Sequence, residues 1–557
     1  MAMKKAAAKR KTTPAKSKAK QVPKKMAAKR KAVPAKKAAA KRPSGRGPRK
    51  TATGSEPASL VMKPPASGVK IRMYRQGHGD CFLLAFRQDN DEPFYMLIDC
   101  GMKKGSTLVR SITEVAQNIH DATGGHLNLV AITHEHEDHV SGFRSERAIF
   151  DALTIDKLWL AWTEDPDHDL ANQLRNKYKD TLLGLVMASE RLQGARDSAD
   201  TSVRDVVDSL LEFELSEEER GLAARDPDQL KEKIAGRTNK EGILVVKDRA
   251  DAREGTEYLL PHSEPRTLPN VPGIRFFVCG PPEHEAKLRD MDPKGEEEFH
   301  FAAAEERSFL AAVAAAAGAD DEHEAYQPFE PRHRIPASAA RASEHAPFFE
   351  TYYGLEKNYP ADDDRPWRRI DADWLRSSES FALRMNNFIN NTSLVLAIEL
   401  PRTKKVLLFV GDAQRGNWMS WAEKGWTSAN GLTGNEEVTV ADLLRRTVFY
   451  KVGHHGSHNA TMNKGGLREM AQGEFADQFV AMIPANEKWA LAVKPKPWVH
   501  PLPAIYKALL EKAKGRVFVM DRDLQPPGPQ VLSGAKWQQF LDQSVREDLY
   551  YEFTVED

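Results

Sequence analysis

Cysteine is scarce in this chain. There are 3 in 557 residues, and Cys81, Cys100 and Cys279 stand far apart, which excludes a disulfide framework and any Cys-x-x-Cys zinc motif. Cys81 and Cys100 fall in apolar runs that read as strands, so both are expected as buried thiols in a reducing cytoplasm. Long apolar runs are missing too. Nothing reaches the roughly 18 residues that a membrane-spanning helix needs. Asp and Glu are absent from residues 1–50. No apolar stretch follows the basic charges of that segment, which argues against a secretory signal, and a mitochondrial presequence would be richer in Arg and Ser.

What stands in residues 1–50 is a polycation. It holds 20 of the 81 Lys and Arg, and the remaining 61 face 80 acidic residues, a balance of −19 for the rest of the chain. A basic tail is joined to an acidic body. The tail repeats itself: AAKRKTTPAK at 7–16 returns as AAKRKAVPAK at 27–36. It has too few large apolar groups to offset its ordering entropy and is expected to be disordered. It resembles the Lys-Ala-Pro tails of linker-histone-like proteins. Such a tail binds nucleic acid by releasing counterions, without reading sequence, with Lys9, Arg10, Lys11, Lys29, Arg30 and Lys31 as candidate contacts. The alternative is a solubilising tail, or one that lies on the chain's own acidic body.

The richest chemistry lies at His134-Glu135-His136-Glu137-Asp138-His139, directly after the apolar run Leu127 to Thr133. That run reads as a buried strand. Neutral imidazole and carboxylate are the donors a borderline divalent cation such as zinc prefers, and a strand end holds them rigidly. A polar loop with clustered histidines is the bland reading. It leaves unexplained why other parts of a metal site follow in order downstream.

With those parts in view, the chain resembles the metallo-β-lactamase superfamily. Leu97-Ile98-Asp99-Cys100-Gly101 resembles its strand-Asp-x-Gly element, Val406 to Asp412 its strand ending in Gly-Asp, and Tyr450 to Ser457 (YKVGHHGS) the element carrying the last histidine. Gly77-His78-Gly79-Asp80, Asn390-Asn391-Thr392-Ser393-Leu394-Val395-Leu396 and the KVGHHGS string are similar to motifs of the ComEC/Rec2-like subgroup, and Val499-His500-Pro501 matches its later His-Pro. The likeness covers residues 68–150 and 380–525 and leaves out the tail and the middle. It implies a four-layered αββα fold and two divalent metal ions, zinc foremost and manganese or magnesium as alternatives. By the same resemblance His134 and His136 hold one metal, Asp138, His139 and His454 hold the other, and Asp412 bridges. His455 is an alternative ligand or a proton donor, and Asp99 accepts a hydrogen bond from a ligand imidazole.

One departure stands out. Much of the superfamily has a third histidine for the first metal where this chain has Asn390 and Asn391. An amide oxygen is a harder, weaker ligand, which favours manganese or magnesium. The alternative is that these asparagines cap a turn before the next strand. His500 is a further candidate for metal or substrate.

Organisation follows from composition. Residues 1–67 form the tail and a Pro/Gly/Ser linker, 68–540 an α/β hydrolase domain interrupted by a mainly helical insertion at about 165–380, and 541–557 a C-terminal segment. Helices are expected from Leu108 to Ile119, at 170–193, 202–214 and 226–235, and in the Ala-rich stretch 302–317. The insertion reads as a lid, a substrate-selecting wall or a surface for a protein partner. The resemblance and the tail together imply a phosphodiesterase or nuclease acting on nucleic acid through a metal-activated hydroxide, in the cytoplasm and near the nucleoid, with no membrane partner. Hydrolysis of a small ester or phosphoester is the second reading. A non-catalytic, metal-stabilised scaffold on nucleic acid is the third.

Overall fold

The apolar runs become strands, most of them buried on both faces, with Gly255–Leu259 and Ser544–Arg546 at the edges of their sheet more open. In chain order they are β1 (Val69–Tyr74), β2 (Cys81–Arg87), β3 (Pro93–Cys100), β4 (His126–Ala131), β5 (Thr154–Ala161), β6 (Gly255–Leu259), β7 (Arg275–Gly280), β8 (Val395–Glu399), β9 (Val406–Phe409), β10 (Thr447–Lys451), β11 (Val480–Ile483), β12 (Val517–Val519), β13 (Ser544–Arg546) and β14 (Tyr550–Val555). This is a computed structural model, and it describes residues 61–192, 198–236, 240–294, 344, 346–348, 373–423, 425–493 and 497–557. The basic tail and the Ala-rich stretch 302–317 lie outside the described residues.

The strands form two mixed sheets. One has 8 strands in the order β13-β14-β1-β2-β3-β4-β5-β6, the other 6 in the order β12-β11-β10-β9-β8-β7. In the first sheet β1, β2, β3 and β14 pair antiparallel, then β3 to β6 run parallel. In the second, β7, β8 and β9 pair antiparallel and β9 to β12 run parallel. Strand alternation divides the side chains of β2. Phe82, Leu84 and Phe86 join a core shared with the second sheet. Cys81, Leu83 and Ala85 join a core on the opposite face. A strand covered on both faces must be apolar at nearly every position, which is why these runs do not alternate in sequence.

Helices cover the free faces. The second core draws in α1 (Ile112–Thr123), α2 (Glu137–Ser145) and α3 (Arg147–Ala152). The apolar spacing begins at Leu108, but the helix begins later because Ser111 caps it. Ser111 and Glu114 make a capping box, and Gly124 ends the helix at φ 64°. Next come α4 (Asp169–Leu192), α5 (Ser198–Glu214), α6 (Glu217–Arg225) and α7 (Pro227–Gly236), then α8 (Glu241–Asp251), which returns to the first sheet through Ile243 and Val246. After α9 (Glu285–Leu288), the helix α10 (Asp373–Asn391) leads into β8. Finally α11 (Arg415–Trp421), α12 (Val440–Arg445), α13 (Glu487–Ala490) and α14 (Pro503–Lys512) follow, and Trp418, Leu443 and Leu509 pack into the core that the sheets share.

Two boundaries differ from those read in the sequence. The span 165–380 is not one insertion. It contains α8, β6 and β7, which belong to the sheet layers. Its helical part has its own core, where Leu182, Val207, Leu211 and Ile234 meet Met385 and Ile389 of α10. The C-terminal segment 541–557 is not separate either, because β14 pairs along all of β1, from Val69 opposite Val555 to Tyr74 opposite Tyr550. Among the described residues, no helix is long and apolar enough to cross a membrane.

Candidate metal centre

Polar residues collect where parallel strands end. The segment after β4 carries Thr133 to His139, β3 closes with Asp99-Cys100, β9 runs into Gly411-Asp412, and β10 into Gly453-His454-His455. Carboxyl ends of parallel strands are where open α/β sheets place their sites. Close backbone contact builds this one. A Cβ on Gly101 would lie 2.4 Å from the carbonyl carbon of Asp138, and Gly411, at φ 53°, would bring one 2.9 Å from Thr133 and Ser393. Strain is held here as well. Asp99, His454 and His455 all take positive φ (56°, 44° and 55°), a conformation that persists in non-glycine residues when the surroundings over-determine it.

Among the described residues, Asp80, His139, Asp412 and His455 offer ligand atoms that all lie within 4.8 Å of one another, and all four residues are buried. His139 Nε2 is 3.3 Å from Asp412 Oδ2. His139 Nδ1 lies 2.8 Å from Asp99 Oδ2. The carboxylate can only accept, so Nδ1 carries a proton and Nε2 faces the centre. His455 Nδ1 donates to the Pro484 carbonyl at 2.8 Å, which leaves Nε2 facing Asp138 Oδ2 at 3.1 Å. His454 Nε2 stands further back, 3.8 Å from Asp412 Oδ2.

His134 and His136 form a second convergence. His134 Nε2 is 3.0 Å from His136 Nδ1. Thr133 Oγ1 donates to Asp99 at 2.7 Å and so accepts from His134 Nδ1 at 3.1 Å. His136 Nε2 faces Glu214 Oε1 at 2.8 Å. The two inward nitrogens, 3.0 Å apart, are the pair that a shared cation would take.

The polar atoms left over fit a cation. Asp138 Oδ1, His139 Nε2 and Asp412 Oδ2 are buried without a hydrogen bond of ordinary geometry. Leaving such groups unpaired costs about 1–3 kcal/mol each, more when charged. Neutral imidazole and carboxylate are also the donors a borderline divalent ion takes. Charge is already arranged for it. Burial would raise the carboxyls of Asp138 and Asp412. The His455 bond and His139 hold the first well below the usual range, and His139, His454 and Lys451 do the same for the second. Burial would lower His139, yet Asp412, Asp80 and Asp99 push it well above the ordinary histidine value. Burial brings His454 down to about 4.

The remaining candidates divide. Asn391 is spent on structure. Its NH₂ donates to the carbonyls of Leu288 and Asp290 at 3.1 and 3.0 Å, and its oxygen accepts from the backbone of Gln414 and Asn417 at 3.0 and 3.3 Å. Those four bonds tie the end of α10 to the end of α9 and the segment after it, and to the start of α11. Asn390 is fully buried, and both atoms of its amide lack a partner. His500 lies beside the centre, with Nδ1 3.3 Å from His78 Nε2 and its ring 5.6 Å from that of His454. The six tail residues from Lys9 to Lys31 lie outside the described residues.

Several contributors escaped the sequence reading. Asp80 pairs with the buried ammonium of Lys451, which also donates to the Gly411 carbonyl at 2.8 Å. The sequence motif around Asp80 was visible, but its place at the centre depends on β2 lying beside β3. Ser393 Oγ touches His134 Nδ1 at 3.3 Å and accepts from the Asp412 backbone at 2.9 Å. Lys103 is buried with no hydrogen-bond partner, its ammonium 3.2 Å from the centre of the Phe213 ring, and burial pushes it down to about 8. Glu214 had no signal at all. Burial would raise it, but His136 and Lys240 hold it far below the usual range.

Comparison of the chain with protein-family models, with curated proteins and with solved structures returned no match.

Proposed function

We propose that this chain is a metal-dependent hydrolase of the metallo-β-lactamase superfamily, of its ComEC/Rec2-like branch, that cleaves phosphodiester bonds in nucleic acid. The carrying observation is the pair of convergences at the strand ends. His134 Nε2 meets His136 Nδ1 at 3.0 Å, and His139, Asp412, Asp80 and His455 meet beside them. Two mixed sheets that share one core, with helices on their outer faces, support the four-layered αββα reading.

In this reading His134 and His136 would hold one divalent cation, and Asp138, His139, Asp412 and one of His454 and His455 would hold a second. The imidazole-rich set favours zinc over manganese or magnesium. Bound cations would supply Lewis-acid activation of water and neutralise charge developing on the phosphoryl oxygens. The chain does the rest. Asp99, Thr133 and Glu214 fix the tautomers that turn lone pairs inward. Lys103, a buried ammonium without a hydrogen-bonding partner, favours an anionic substrate over a neutral ester. The basic tail raises the local concentration of nucleic acid without reading its sequence.

The test is hydrolysis by the purified full chain, supplied with zinc or manganese, of plasmid DNA, single-stranded DNA and bis-p-nitrophenyl phosphate. Cleavage of DNA that is lost on adding a chelator and in Asp138→Ala is the expected result. Cleavage of the small diester alone points to a small phosphoester substrate. No cleavage with either metal, alongside salt-sensitive DNA binding that disappears on deleting residues 1–50, leaves a scaffold and overturns the proposal.

A further inference from the structure

We propose that Glu214, supplied by the helical insertion, is a positioning residue for the metal centre, and that it couples filling of the centre to docking of the insertion. The inference rests on the reading of His134 and His136 as metal ligands. Imidazole has two nitrogens, and only a deprotonated one binds a metal. His136 Nε2 lies 2.8 Å from Glu214 Oε1. A carboxylate accepts, so the proton sits on Nε2 and the lone pair on Nδ1 faces His134. The same contact stops the ring from turning.

Glu214 is itself held from several sides. It is the last residue of α5 and is fully buried. Tyr178 of α4 donates its hydroxyl to Oε2. Lys240, at the start of α8, donates to the same oxygen at 3.3 Å and to the Phe213 carbonyl at 3.0 Å. Phe213 packs its ring 5.4 Å from that of His136. The carboxylate is therefore tied to α4, α5 and the entry to α8 at one point. Around it the helices pack on their own core, apart from the cores of the sheets. That core includes Met385 and Ile389 of α10, the helix that leads to Ser393, which touches His134. The insertion thus reaches the first cation's ligands along two routes. Separation of the insertion from the sheets would take Glu214 from His136. By reciprocity, a cation on His136 favours the docked insertion.

The experiment measures zinc affinity by competition with a chromophoric chelator for the full chain and for Glu214→Gln and Tyr178→Phe. Limited proteolysis within 169–236 is followed with and without zinc. The expected result is a loss of about 10- to 100-fold in zinc affinity for Glu214→Gln and a smaller loss for Tyr178→Phe. The metal-free melting temperature should fall for Glu214→Gln, which leaves the Lys240 ammonium buried without its counter-charge, and fall less for Tyr178→Phe, while the visible spectrum of the cobalt-substituted protein should shift. Zinc should slow proteolysis of the insertion in the parent and do so much less in Glu214→Gln. Tyr178→Phe carries the test if Glu214→Gln does not fold, since it removes one donor and leaves the carboxylate. Parental zinc affinity in the variants overturns the inference while the metal reading stands. A parent chain that binds neither zinc nor cobalt overturns both.

Discussion

Asp99, near the end of β3, accepts a hydrogen bond from His139 Nδ1 at 2.8 Å while it holds the Thr133 backbone and hydroxyl at 2.8 and 2.7 Å. One carboxylate thus fixes a strand end, the loop that follows it and the tautomer of a candidate ligand. Asp99→Asn keeps the shape and removes the charge. The expected outcome is a zinc affinity lower by about 10- to 100-fold, with far-UV circular dichroism unchanged. Chelator competition checks it, and equal affinity in the variant would remove Asp99 from the centre.

How much of this was legible in sequence depends on how local the signal is. The string His134 to His139 carries several donors in one short loop, and Asp99 and Asp412 each follow an apolar run with a glycine one or two positions away. Such donors can be found without knowing the fold. For Asn391 an amide before a strand suits a ligand and a cap equally, and its partners, the carbonyls of Leu288 and Asp290, lie 103 and 101 positions away in sequence, beyond any local signal. Glu214 was invisible. It ends an ordinary amphipathic helix, 78 positions from the His136 it contacts. Nothing in a helical repeat says which end will be turned into a distant site. The C-terminal strand β14 was missed for a like reason: its partner β1 is at the other end of the domain.

Lys103 offers a separation of stability from activity. Its ammonium is buried against the face of Phe213 and donates to no hydrogen-bond acceptor. A buried charge of this kind is costly, so Lys103→Met should leave the melting temperature unchanged or higher. If the charge serves an anionic substrate, hydrolysis of bis-p-nitrophenyl phosphate should fall by about 10-fold or more at unchanged metal content. Steady-state kinetics with metal analysis reads both. Undiminished turnover would assign the lysine a purely structural place.

The thiols give a test of packing. Cys81, Cys100 and Cys279 are free and buried. Burial pushes the Cys81 and Cys279 thiols well above the ordinary value. A reagent needs both access and thiolate. Titration with 5,5′-dithiobis(2-nitrobenzoate) at neutral pH should therefore release almost no colour from the native protein. In guanidinium chloride it should count all 3. Rapid reaction of a thiol before unfolding would contradict the packing of β2, β3 or β7.

Arg72 and Glu552 join the two ends of the domain. The guanidinium donates to Glu552 Oε1 through Nε and Nη2 at 2.9 and 2.6 Å, Nη1 reaches Asn118 at 2.6 Å, and the group lies 3.8 Å from the centre of the Tyr550 ring. Both side chains are nearly buried, at 5% and 6% exposed. Glu552→Ala leaves a buried guanidinium without its counter-charge, which costs about 3–5 kcal/mol, so the denaturant midpoint should fall clearly. Removing residues 544–557 goes further. It strips β13 and β14 from the sheet and leaves β1 as an unpaired edge, with its buried side chains Val69, Ile71 and Met73 uncovered on that side, and such edges pair with other chains. The truncated chain should aggregate on expression, whereas the parent stays monodisperse in size-exclusion chromatography. A soluble truncated chain with the parental midpoint would show that β14 adds nothing to the sheet, against its pairing along the whole of β1.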